Sequence, residues 1–133
     1  MPLTKISTHG INDGTIVNAD INASAAIVST KLSGVNDAKA WVNFNGTGTV
    51  AIRASFNVTS ITDGGTGIYT VNFTNALADA NFSAVQTTGA GTGTGKLAVG
   101  YTDTPSTTTY KIKTVSFAGS DEDQLYVSVA IFR

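Results

Sequence analysis

From Ala40 to the end of this chain, apolar side chains recur at every second position, in short runs separated by turn residues. The clearest stretch is Ala40 to Phe56, AWVNFNGTGTVAIRASF. Trp41 to Phe44 is one run; Val50, Ile52, Ala54 and Phe56 share one parity of the next, with Arg53 and Ser55 on the other. Successive side chains of a strand point to opposite faces, so such a parity turns one face inward and one outward. Asn45-Gly46 lies between the runs, where a tight hairpin needs positive φ, which Asn and Gly tolerate best. The stretch is therefore expected to be a β-hairpin. Trp41, which starts an alternating run, is expected in the core.

The pattern continues beyond the hairpin. Tyr69, Val71 and Phe73 share a parity, as do Leu97, Val99 and Tyr101, then Tyr110 and Ile112, then Leu125, Val127, Val129 and Ile131. Strands are expected over residues 40–45, 49–59, 66–73, 81–88, 95–103, 109–117 and 124–132. Turn-rich stretches separate them, including Thr62-Asp63-Gly64-Gly65, and residues 75–80 are expected to make one helical turn. Threonine favours strands, and glycine and asparagine favour turns. The fold class that follows is all-β: an antiparallel, jelly-roll-like β-sandwich over residues 38–133. In the last strand Tyr126, Ala130 and Phe132 make the second parity apolar as well. A strand apolar on both sides is buried on both. One sandwich layer accounts for one side, and a neighbouring subunit is expected on the other.

Residues 1–37 read differently, as an extended N-terminal arm. Ile6, Ile11, Ile16 and Ile21 recur every five residues, and Ile27 and Leu32 continue the pattern loosely. Five residues advance an α-helix by about 500°, which scatters these side chains round the axis. In a flat strand an odd spacing puts successive members on opposite faces. Neither element gives one apolar stripe, so such an arm does not bury its apolar side chains alone. Three copies wound round an axis would share one core, so an assembly arm and a homotrimer are expected, with a partly disordered tail as the other reading. A short helix over residues 23–32 is a local alternative.

The residues give no catalytic set. Cysteine is absent, and the single histidine, His9, lies in the arm, so no Ser-His-Asp or Cys-His arrangement can form in the domain. The acids Asp63, Asp79, Asp103, Asp121, Glu122 and Asp123 fall in or beside turns, where solvated carboxylates are expected rather than a hydrolytic pair. Asp121-Glu122-Asp123 does not match a calcium loop, and 89–95 (GAGTGTG) lacks the lysine and helix of a phosphate loop. The N-x-[S/T] triplets at Asn22, Asn45, Asn57, Asn72 and Asn81 are chance products of a Ser- and Thr-rich chain. No enzyme activity, cofactor or metal is expected. With a net charge of -1 there is no basic surplus for nucleic acid. No apolar run reaches the ~20 residues of a membrane span, and MPLTKISTHG lacks the apolar core of a signal peptide. Exposed aromatic rings stack on sugars. Trp41 aside, Tyr101, Tyr110 and Tyr126 are the candidate ligand or receptor contacts, with subunit contacts as the other use for their rings.

The stretches AWVNFNGTGTVAIRASFNV and ITDGGTGIYTVNFTNALADANF resemble a C-terminal domain of tail fibres and other minor structural proteins of tailed bacteriophages, including phages of cyanobacteria. The resemblance covers about residues 38–133, and DGTIVNADINASAAIVSTKL in the arm is similar to the segment that often precedes such domains. It implies a virion protein, made in the host bacterial cytoplasm, that is partnered with itself and with other capsid or tail proteins. One expectation is a fibre or receptor-binding protein whose sandwich touches host surface glycan. A second is a capsid decoration (cement) protein; the short arm favours a small decoration or fibre-tip protein. A stand-alone carbohydrate-binding module is the third.

Overall fold

The computed structural model describes residues 25, 37–90, 97–100 and 104–133, so the arm isoleucines, Leu32 and the alternative helix over 23–32 lie outside the described residues. The compact unit that holds the domain runs from Asn36 to Arg133. It contains eight strands: β1 (Ala38–Asn45), β2 (Ala51–Phe56), β3 (Val58–Asp63), β4 (Ile68–Phe73), β5 (Ser83–Gly89), β6 (Leu97–Gly100), β7 (Thr109–Val115) and β8 (Tyr126–Phe132). They form two four-stranded antiparallel sheets, ordered β2-β1-β8-β5 and β3-β4-β7-β6. This is the expected all-β sandwich. Residues 75–80 are irregular, so the expected helical turn there is corrected.

Alternation fills the core. Ala40, Val42 and Phe44 of β1, Tyr69, Val71 and Phe73 of β4, Ile112 of β7, and Val127, Val129 and Ile131 of β8 are all buried. Phe44 meets Tyr69 edge-on between the sheets, with centroids 5.1 Å apart, the geometry that ring quadrupoles favour.

Three expectations fail for local backbone reasons. The run over residues 49–59 is two strands, because Asn57 adopts a left-handed φ of 54° and sends the chain from one sheet to the other. Its side chain holds the corner: Nδ2 donates to Lys39 O (3.0 Å) and Asn75 O (3.2 Å), and Oδ1 accepts from Asn75 N (2.8 Å). The parity of Val50, Ile52, Ala54 and Phe56 is broken by a bulge. Asn43 pairs with Ala54 and Phe44 with Ile52, which leaves Arg53 as the extra residue. Ile52 therefore shares the inner face with Phe44, while Phe56, opposite Trp41, points outward. Trp41 itself, expected in the core, lies on the outer face with 39% of its surface exposed, because its neighbours Ala40 and Val42 take the inner positions. In β6 likewise, Ala98 packs on the core and Val99 faces out.

The hairpin between β1 and β2 forms as expected, but positive φ falls at Gly48 (60°) rather than at Asn45-Gly46. Gly46 is needed for close approach instead: a Cβ there would lie 2.6 Å from Tyr69 Oη and 2.8 Å from Gln124 O.

Candidate functional site

Side chains directly opposite one another across paired strands share a face. In the sheet β2-β1-β8-β5, Trp41 pairs with Phe56 on one side and Ala130 on the other, and Ala130 pairs with Val85. These four side chains form one row across the whole outer face. It is well exposed: Phe56 at 55%, Trp41 at 39% and Val85 at 56%. The next row is Ala54, Asn43, Ser128 and Thr87, and Asn43 Nδ2 donates to Ser128 Oγ at 2.8 Å. Between Trp41 and Val85 the surface sinks into a shallow hollow of about 260 Å³, lined also by Asn43, Thr87, Ser128 and Ala130. Beyond the polar row, the Arg53 guanidinium covers the Tyr126 ring 4.5 Å from its centroid and donates from Nη2 to Leu125 O at 2.8 Å. This is a cation–π contact that keeps the charge at the rim.

The outward face of the other sheet has opposite chemistry. Ser60, Thr62, Thr70, Asn72, Lys111 and Lys113 alternate with the buried positions. Asn72 Nδ2 donates to Ser60 Oγ (3.1 Å) and Thr62 Oγ1 (2.9 Å), and Lys113 pairs with Asp121 at 2.8 Å. One outer face is thus mostly hydroxyl, amide and ammonium, with Ile68 and Val99 on either side of Lys113, and the other exposes aromatic and aliphatic side chains in a continuous row. An apolar row of this kind is a candidate interaction surface.

A polar bolt closes the sandwich near the hairpin. The Tyr69 hydroxyl shares its proton between Asp123 Oδ1 (2.7 Å) and Gly46 O (2.9 Å), and Asp123 Oδ1 also accepts from Gly67 N (2.7 Å). Burial, and then the Asp123 carboxylate beside it, push the Tyr69 phenol well above its ordinary value. Gly67, at φ 69°, has no room for a Cβ, which would meet Thr114 O at 2.4 Å.

The remaining acids sit in local structure. Asp63 accepts from Gly65 N (2.9 Å). Asp79 accepts from Arg133 Nε (2.8 Å) and Asn81 N (2.7 Å), which lowers its pKa to about 2. Among the described residues, no group of three His, Asp or Glu side chains converges as a metal site.

No family model matches the chain, and neither curated proteins nor solved structures give a match.

Of the site residues read from sequence, Ile6, Ile11, Ile16, Ile21, Ile27, Leu32 and Tyr101 lie outside the described residues. Tyr110 points into the sandwich, where it packs edge-on against Phe82 (5.8 Å) and its hydroxyl donates to Gln86 Oε1 (3.1 Å); burial raises its pKa. Tyr126 lies on the apolar outer face under Arg53. The structure thus puts the two tyrosines on different sides of their sheets. Sequence reading missed Phe56, Trp41 and Val85 as a set. The only signal was the doubly apolar last strand.

Proposed function

We propose that this chain is a non-enzymatic structural protein of a tailed-phage virion, a trimeric fibre or knob protein. Its arm attaches it to the particle, and its sandwich is displayed toward the host surface. The observation that carries the reading is the difference between the two outer faces. Phe56, Trp41, Ala130 and Val85 cross one sheet as an uncharged row, while the other sheet carries Lys111, Lys113 and a hydrogen-bonded plate of Ser, Thr and Asn. Burying the apolar surface that Phe56, Trp41 and Val85 still expose favours self-assembly through this face. A fibre or decoration protein assembles through one face and shows the other. Copy number per particle separates fibre from capsid cement: hundreds means capsid, and tens or fewer means tail.

The second reading, a carbohydrate-binding module, is favoured by the placing of Trp41 beside Asn43, Ser128 and Thr87 in the hollow, since sugars use a stacking ring and hydroxyl partners. It requires the face to stay open. Light scattering on the intact chain decides between them. Assembly gives about three times 13.6 kDa, and Trp41→Glu weakens it with unchanged circular dichroism. An intact chain that is monomeric at micromolar concentration rejects the structural reading.

A further inference from the structure

We propose that the apolar face is a heterologous self-contact: Phe56 of one copy seats in the hollow between Trp41 and Val85 of the next, and three copies close the ring. This rests on the self-assembly reading above.

Shape is the first argument. The row carries a projection at one end and a recess toward the other. Phe56 stands on the edge strand β2 with 55% of its surface exposed. The recess, about 260 Å³, lies over β8, floored by Ala130 and Ser128 and walled by Trp41 of β1 and Val85 of β5. A small residue at position 130 between two larger neighbours is what opens it.

Charge decides the class of occupant. Phe56, Trp41, Ala130, Val85, Asn43, Ser128 and Thr87 carry no ionisable group, so copies meet there without burying like charges. Arg53 at the rim is engaged by Leu125 O and the Tyr126 ring. Nucleic acid or an acidic peptide would find no counter-charge within this row. A second copy of the same uncharged row suits it on both counts.

Position bears on the symmetry. The projection stands on the edge strand β2, and the recess lies over β8, between β1 and the opposite edge strand β5. A contact that joins the projection of one copy to the recess of the next without the reverse contact is heterologous and forms a ring when the rotation closes, whereas two copies that seat each other's Phe56 form an isologous dimer. The β5 edge fits this use. Its sequence, SAVQTTG, holds no charge and no proline, the devices that usually block a bare sheet edge, and a neighbouring copy seated beside Val85 shields it.

The chain has no cysteine, so introduced thiols report cleanly. Positions 56 and 85 lie on strands separated by three inter-strand spacings, about 14 Å, whereas a disulfide spans Cα atoms no more than ~7 Å apart. A bond between them is therefore intermolecular. The double variant Phe56→Cys/Val85→Cys, mildly oxidised as the intact chain, is expected to run as a trimer on a non-reducing denaturing gel and as a monomer after reduction. Each single variant is expected to run as a monomer. A single variant that links to itself overturns the heterologous contact, and a double variant whose ladder stops at the dimer overturns the threefold ring. A protein that assembles by light scattering yet gives no link overturns the seating of Phe56, with self-assembly left standing. An intact chain that never assembles overturns the reading beneath it. Val85→Trp is a second test that needs no thiol. By filling the recess it is expected to raise the dissociation concentration at least tenfold, while Thr70→Trp on the solvated sheet leaves it unchanged. Undiminished assembly of Val85→Trp also overturns the proposal.

Discussion

Tyr69 shows how much of this sandwich depends on single atoms. Its ring is core and its hydroxyl is structural: it reaches Gly46 O from the hairpin and Asp123 from the stretch before β8. Tyr69→Phe keeps the ring and leaves Gly46 O short of a partner, which costs ~1–3 kcal/mol. Chemical denaturation should show a lower midpoint with an unchanged slope; an unchanged midpoint would mean that the hydroxyl is idle. The raised pKa has its own consequence. Ionisation of a tyrosine in the unfolded chain begins near pH 10, while the buried phenol stays protonated. Its contribution is complete below that pH and is lost as pH rises above it. The alkaline fall in melting temperature should therefore be shallower in Tyr69→Phe than in the parent chain. Gly67 sits beside the same bolt. Gly67→Ala combines a left-handed Cβ penalty of ~1–2 kcal/mol with overpacking against Thr114 O of ~1–3 kcal/mol. A loss of that combined size in urea titration is the expected result, and a neutral substitution would refute the close approach.

Among the elements, the crossing from β2 to β3 tests the account most sharply. Asn57 does two jobs there: it tolerates φ 54°, and its amide ties Lys39 to Asn75. Asn57→Gly relieves the backbone but removes the ties, whereas Asn57→Ala removes the ties and adds strain. Alanine should thus be the worse substitution, by roughly 1 kcal/mol on the left-handed penalty. Glycine and alanine with equal melting temperatures would show that φ at position 57 carries no cost. The Arg53 bulge is the other decisive element. One extra residue in β2 moves Phe56 to the side of Trp41, and that shift joins β2 to the apolar row.

For the whole molecule, the last residue is tied back to the β4–β5 connection by Arg133 and Asp79. The guanidinium holds Asp79 down from an ordinary 3.8 to about 2. A depressed carboxylate contributes stability above its unfolded value and loses it as pH falls through the folded one. The window is therefore about pH 4 to 2. The pair is exposed, so the effect is modest. Arg133→Ala should flatten the decline of melting temperature across that window and lower neutral stability by the same modest amount. An identical acid limb in both proteins would argue that the pair contributes nothing.

What the sequence by itself determined is local. Period-two alternation specified the strands, their inward residues in β4, β7 and β8, and so the two-layer sandwich, because a strand with one apolar parity has one stable way to bury it. The hairpin between β1 and β2 and the outward lysines of β7 were legible for the same reason. The candidate site was legible only in the apolar second parity of β8. Which strands flank β8, and what side chains stand opposite Tyr126 and Ala130, depend on pairings between residues as far apart as Trp41 and Ala130 or Val85 and Ala130. The tertiary structure alone decided these, together with the Arg53 bulge and the left turn at Asn57. Such features arise where long-range pairing and packing override the local period, and an exposed row is a property of neighbouring strands that no single strand encodes.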